Sequence, residues 1–356
     1  MDETEIQKVI DQSYRKLYQV ASPPIRRYIL EEVLQADPDD AIVQQAIAEC
    51  GRYPPKMKIL SSIREDGTWP ISKQRKAAED NGAGPPLGWT YITMLRNLYM
   101  LTEYSTSRSE GRIELVLKRI LSWQAPEGYI PGPWTGAFPI PHYNGFALRN
   151  LLMFGLEKDK RVQRIIRWLL SIQRLDGGWT IPFLEDVRYM PEYRNMKMAE
   201  FIQAIKSVDK SKFDAGQYEQ IPSCIWTTMG VVRGLIQSRD WIHSEEVRRG
   251  ADFFLDRFFK KNYHVTFYQS EKNWTRLKYP TYFGSGLGGL DILCYMGYGP
   301  DDERMERPIR WLMSMRAKDG FWYQSERPQP EKDQWITAIS LVILSRYLRN
   351  GRGRKA

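Results

Sequence analysis

"SIQRLDGGWTIP", residues 171–182, joins the end of one helix to the start of something else, and the way it does so decides the fold. The run before it, "RVQRIIRWLLSIQ", carries Val162, Ile165, Ile166, Leu169, Leu170 and Ile172 at helical spacing. Asp176-Gly177-Gly178 then supplies the left-handed residue that ends such a helix, because glycine enters that region without a Cβ penalty. Trp179 follows at once. A ring of that size covers apolar surface, and the nearest is the helix end the chain has just left.

The pattern recurs in one frame. Asp66-Gly67-Thr68-Trp69 and Asp319-Gly320-Phe321-Trp322 repeat it, and Glu127-Gly128-Tyr129 is a weaker copy. Ser61, Ser122, Ser171 and Ser314 each stand five residues before the acid, behind an apolar pair. "DKRVQRIIRW" (159–168) matches "DERMERPIRW" (302–311), so whole helices repeat and not only their ends. "SEEVRRGADFFLDRFF" (244–259) reads as an eroded further helix, with Phe253 at the place of Trp168. Between these lie segments apolar on more than one face, near 88–101, 142–156, 224–236, 286–298 and 334–348. A helix apolar nearly all round is buried. The expected architecture is therefore all-α, an (α/α)6 toroid or barrel of repeated helix pairs, with charged helices outside, apolar helices inside and one central cavity.

Gln173-x-x-Asp176-Gly177-Gly178-Trp179 resembles the Gln-Trp repeat of squalene and oxidosqualene cyclases, whose fold is shared with protein prenyltransferase beta subunits. The resemblance covers residues 57–348, most of the chain. It implies that each Gln-Trp element ties an outer helix to the next inner one, and that an apolar isoprenoid is bound in the central cavity and cyclised by protonation. It does not fix the activity, since one fold hosts many. Residues 1–56 are expected to complete the ring within the same domain, and 349–356 to form a basic tail. Near the N-terminus a helix opens at Ser22-Pro23-Pro24 and ends near Gln35, and the next opens at Asp37-Pro38. Two stretches read as irregular, residues 181–222 and "KQRKAAEDNGAGPPLG" (73–88), and loops of that length often serve as lids or binding loops.

The 356-residue chain carries a formal charge of +9 and three cysteines. Its lysines and arginines are scattered over the amphipathic helices, the pattern of solvated faces, and no nucleic-acid module is present. Nucleic acid is accordingly not an expected partner; an apolar isoprenoid is, with weak peripheral membrane contact as the route by which such a molecule is collected. Residues 1–12 have neither the basic start nor the apolar core of a signal peptide, so a cytoplasmic, membrane-associable protein is expected. Cys50, Cys224 and Cys294 lie far apart, mostly in apolar helices, and read as buried free thiols.

Two acids are candidates for protonation. The resembled cyclases use an Asp-x-Asp-Asp-Thr-Ala motif, which "DPDDAI" (37–42) matches superficially and which would make Asp39 the acid; the same residues are what a helix start requires. Asp291 sits early in an apolar helix among Leu287, Leu290, Ile292, Leu293 and Cys294, surroundings that favour a protonated carboxyl unless it caps its helix or pairs with an arginine such as Arg96 or Arg149. The prenyltransferases hold zinc with Asp-x-Cys and a later histidine. Here Asp291-Ile292-Leu293-Cys294 has one residue too many, no histidine follows His264, and Asp333-Gln334-Trp335 stands where the ligand would be. No cofactor is expected, magnesium entering only with a diphosphate substrate. Trp89, Tyr91, His142, Tyr143, Trp226, Tyr282 and Trp335 all fall near the starts of inner helices, where they would converge on one mouth of the cavity and offer aromatic faces to a carbocation. Each alone is also what a packed core contains. An isoprenoid cyclase, a carbohydrate-active helical toroid, and a non-catalytic lipid- or peptide-binding toroid are the three classes this pattern admits.

Overall fold

The structure, a computed structural model, describes residues 2–80, 88–131, 139–180, 222–262, 270–281 and 284–352, together with 195, 196, 200 and 204. All regular structure among them is helical, and the one strand-type pairing is an isolated bridge between Pro131 and Pro139. The chain divides into two compact units. One holds Met1–Pro54, Phe254–Lys261 and Ser270–Ala356; the other holds Pro55–Phe253 and Asn262–Gln269.

In the first unit, α1 (Glu3–Val20) is capped by Asp2, whose side chain accepts from Thr4 N–H, and buries Ile6, Ile10 and Leu17 on one stripe. Helix α2 (Pro23–Tyr28) opens on proline and runs on as a π-turn over Ile29–Val33 before Gln35 takes φ 51°. The next helix, expected from Asp37-Pro38, begins later, as α3 (Ala41–Gly51). The reason is local. The Asp37 carboxylate accepts the N–H of Asp39 at 2.9 Å and the Asp37 carbonyl that of Asp40 at 3.0 Å, which closes a separate turn ahead of the helix.

The second unit is built from α4 (Pro54–Ser61), α5 (Lys73–Asp80), α6 (Gly88–Glu103), α7 (Ile113–Leu121), α8 (Pro141–Met153), α9 (Lys160–Ser171), α10 (Ile225–Leu235) and α11 (Glu245–Leu255). The division between units falls inside α11, after Phe253. Helix α5 lies in a stretch expected to be irregular. Its Gln, Arg, Lys and Ala residues are strong helix formers, but it lacks the apolar stripe by which a helix is recognised. The other expected loop, 181–222, falls almost wholly outside the described residues. The first unit resumes with α12 (Gly286–Tyr295), α13 (Glu306–Ser314) and α14 (Pro330–Arg352). The tail expected from 349 starts inside α14, because Arg349 donates to the Glu32 carbonyl and Asn350 to the carbonyls of Cys294 and Tyr298.

The four copies of the sequence pattern make one turn. Gly67, Gly128, Gly177 and Gly320 have φ between 79° and 109°. In each turn the residue after the glycine gives its carbonyl to the N–H four residues back: Thr68 to Arg64, Tyr129 to Ala125, Gly178 to Arg174 and Phe321 to Ala317, at 2.8–3.0 Å. The serine found five residues before each acid donates to the carbonyl three residues behind it in every copy, closing the helix end. Trp69, Trp179 and Trp322 are buried, and each indole donates to the carbonyl ten residues earlier, of Ile59, Leu169 and Leu312, at 2.7–2.8 Å. The ring thus covers the helix it has just left and satisfies one of that helix's last free carbonyls.

Glutamine supplies the next link. Gln124 Nε2 donates to the carbonyls of Gly128 and Arg161, and Gln173 Nε2 to those of Gly177 and Glu246, so each turn is tied to the next amphipathic helix, α9 and α11 respectively. Turn glycines lie directly on that helix: a Cβ on Gly128 would stand 2.7 Å from the Arg164 carbonyl oxygen, and one on Gly177 2.8 Å from that of Arg249. In the first unit the last turn meets α1 instead. Arg316 donates to Ser13 and Gln12, and Lys16 to the Asp319 carbonyl.

Inside the second unit, α7 and α9 bury one stripe each, whereas ten of the eleven residues of α10 are buried, which makes it an interior helix. It crosses α8 at glycines. A Cβ on Gly145 would lie 2.3 Å from the Gly230 carbonyl oxygen, and one on Gly234 2.4 Å from that of Gly145, so only residues without side chains permit this approach.

Candidate functional site

The N-terminal ends of α6, α8 and α10 bring together four of the aromatic residues singled out above. Tyr91 is fully buried, and its hydroxyl has no hydrogen-bond partner among the described residues. Its ring meets Trp123 edge-on at 5.7 Å, and burial, with the nearby Tyr143 hydroxyl, holds its pKa above the ordinary tyrosine value. His142 packs edge-on against Tyr143, centroids 5.4 Å apart, and hydrogen-bonds to the backbone of Trp226. Burial pulls the His142 pKa from 6.5 down to about 4, against the opposing effect of that bond, so the imidazole is neutral at neutral pH.

Gly230 makes this position possible. A Cβ there would stand 2.2 Å from His142 Nδ1, the ring nitrogen facing the α10 backbone. Glycine at 230 and histidine at 142 are therefore one device: the missing side chain admits the ring, and the α10 backbone orients it. Asn144, two residues on, accepts the Ile130 N–H at 2.7 Å and donates to the carbonyls of Ile130 and Ile140, which anchors the start of α8 to its turn. Thr228 accepts the Trp179 N–H at 2.9 Å and does the same for α10.

The other candidates have neighbours of their own or fall outside the described residues. Trp89 is half-buried with the Arg75 guanidinium 4.7 Å from its ring. Trp335 belongs to the first unit, stacked on Tyr279 at 5.1 Å and tilted against Tyr28 at 6.0 Å. Tyr282 lies outside the described residues, as does His264. Asp39 is exposed in the turn before α3. Asp291 neither caps its helix, which Ser285 does, nor pairs with Arg149, which bonds Glu103 and Thr102. It faces Arg346 at 3.4 Å, and Arg346 also holds Glu32 at 2.7 Å and lies over Tyr295. The expected apolar surroundings thus contain a guanidinium. Arg346 is eleven residues along α14 from Trp335, roughly 16 Å of helix axis. Asp333 accepts the N–H groups of Gln324 and Gln329 and so caps the start of α14.

The three cysteines are buried and free, and burial pushes the Cys294 thiol well above its ordinary pKa. Among the described residues no group of three or more His, Cys, Asp or Glu side chains is placed to hold a metal. No described helix is long and apolar enough to cross a membrane. The glycines of "GFALRN" and "MGVVRGL" are not among the expected site residues; their signal is the four-residue spacing of Gly230 and Gly234 inside an apolar helix, which marks a close backbone approach.

No family model matches the chain, and no curated protein does. A solved structure described as a crystal structure of a protein from Actinoplanes aligns over 99% of this chain and 100% of its own at 12% identity, with a TM-score of 0.47. At that distance neither fold nor function is transferred.

Proposed function

We propose that this chain is a terpenoid cyclase-like protein whose helix pairs close into a toroid and which binds an apolar isoprenoid among its interior helices. The observation that carries the reading is the convergence of Tyr91, His142, Tyr143 and Trp226 at the N-terminal ends of three successive apolar helices, within a frame of Gln-Trp-like turns. Closure is supported by the turns themselves. Those ending α7 and α9 seat on the next amphipathic helix, and the last seats on α1. Aromatic faces stabilise a cation without reacting with it. A neutral imidazole beside them is suited to accept a proton from a carbocation at the end of a cyclisation. Binding without cyclisation is a second reading, favoured by the commitment of Asp291 to Arg346. Both readings place the protein in the cytoplasm in weak contact with a membrane surface, and need magnesium only for a diphosphate substrate.

Incubation with squalene, oxidosqualene and linear prenyl diphosphates, with and without magnesium, followed by mass analysis of the extract, tests the proposal. The expected outcome is depletion of one substrate or its retention by the protein, reduced at least tenfold in Trp226→Ala. Turnover of an oligosaccharide with none of these lipids bound would replace the reading with a carbohydrate-active one.

A further inference from the structure

A surface groove of about 630 Å³ lies in the first unit between the segment that begins with the 3₁₀ turn Glu271–Asn273 and one face of α13. Phe259 and Trp311 form apolar wall, and Lys272, Thr275, Arg307 and Arg310 add polar wall. The repeat explains why a groove is there. By the match of 302–311 with 159–168, Arg307 occupies the place of Arg164 and Trp311 that of Trp168.

In the second unit the equivalent seats are filled. The turn before α9 lays Gly128 on Arg164, and Arg164 donates to the Gln124 carboxamide oxygen at 2.6 Å. The turn before α11 lays Gly177 on Arg249, and Arg249 donates to the Gln173 oxygen at 3.0 Å. Before α13 the turn is eroded. Phe258 stands in the register of Gln173 and is buried against Trp274 at 4.3 Å, so it offers no acceptor. Arg307 is exposed, its guanidinium 4.9 Å from the ring of Phe259, a non-glycine residue held at φ 64°. Trp311 Nε1 is buried with no hydrogen-bond partner among the described residues. A seat that elsewhere receives a side-chain oxygen is here lined by the same arginine without one among the described residues.

We propose that this groove docks a glutamate-bearing turn of a partner protein, its carboxylate taking the place that the glutamine oxygen has on Arg164 and Arg249. Charge selects glutamate over glutamine. Lys272, Arg307 and Arg310 line the groove against Glu271, and Glu306 bonds Arg310 at 2.6 Å. A carboxylate also accepts the two parallel bonds a guanidinium offers, where a carboxamide accepts one.

The probe is a fluorescein-labelled decapeptide matching residues 171–180 with glutamate in place of Gln173, followed by fluorescence polarisation with the full chain. Saturable binding is expected, weakened at least tenfold by Arg307→Ala, less by Arg307→Lys, and unchanged by Arg15→Ala on α1, which does not line the groove. The glutamine form of the peptide should bind more weakly than the glutamate form. Because Arg307 is exposed, its variants should keep the parent melting curve. Absence of saturable binding at millimolar protein, equal losses from Arg307→Ala and Arg15→Ala, or full competition by millimolar inorganic phosphate would each overturn the proposal.

Discussion

The turn at 176–179 and the turn at 127–130 reach the same backbone from different side chains. Both have glycine at positive φ, both give the following carbonyl to the N–H four residues back, and both hang a glutamine on the next amphipathic helix. In the first, Asp176 accepts from Gly178 N–H and from both the N–H and hydroxyl of Ser223, and Trp179 fills the space beneath. In the second, Glu127 is exposed and Ile130 is buried where the tryptophan would be. The difference separates what the turn requires from what it tolerates. Glycine is kept in all four copies of the turn, and glutamine bonds backbone atoms of another helix in these two, while Ile63 and Arg316 stand in its place in the others. The acid and the ring fill a volume and cap a turn, and other residues can do either.

Three measurements put that contrast at risk. The largest effect should come from the ring. Trp179→Ala removes a fully buried side chain and the partner of the Leu169 carbonyl, a loss of about 3–5 kcal/mol in urea unfolding, and Ile130→Ala should cost about 2–5 kcal/mol. A cost below about 1 kcal/mol for Trp179→Ala would show that the turn does not depend on what fills it.

The next effect joins the two regions, since His142 on α8 bonds the α10 backbone at Trp226. The unfolded chain takes up a proton on this imidazole near pH 6.5, while the folded chain resists until about 4. Stability is therefore full above the upper value, declines as pH falls between the two, and is level below the lower one. Over that window the loss should be up to about 3 kcal/mol. Unfolding midpoints at pH 7.5, 6, 5 and 4 should follow this course, and His142→Gln should flatten it; an equal slope in the variant would mean that other groups carry the dependence.

The smallest effect should distinguish the acids. Asp176→Ala leaves the Ser223 groups and the Gly178 N–H without their acceptor and should cost about 1–3 kcal/mol. Glu127→Ala should lie within about 0.5 kcal/mol of the parent. Equal costs would mean that the acid works through its charge near the helix end rather than through the bonds it accepts.

How much is legible in the sequence follows from the same contrast. The serine bond, the glycine's positive φ and the indole bond all involve atoms within ten residues, so their spacing states the helix ends, and the apolar segments mark α6, α8, α10, α12 and α14 as interior. Helix α5 is not legible, because helix propensity without an apolar stripe leaves no periodic mark. The Asp37–Asp40 turn reads as helix because a capping acid and an Asx turn look alike in one dimension. Among the candidate residues, the grouping of Tyr91, His142, Tyr143 and Trp226 is expected from their places at helix starts. The Arg346 partner of Asp291, fifty-five residues away, is not.

The helical class, the repeated turn and the stripes that α7 and α9 bury were already settled by the amino-acid sequence, because these depend on backbone conformations and side-chain periods set by near neighbours. Packing in three dimensions was needed to establish that Gly145, Gly230 and Gly234 let two helices touch, that His142 is neutral and held against Trp226, that Asp291 meets a guanidinium, and that one turn seat carries Arg307 with no glutamine among the described residues. Each of these depends on which distant backbone atoms come within about 3 Å, the range over which hydrogen bonds and steric exclusion act. Such a distance is a property of the packed molecule and has no counterpart in the order of residues along the chain.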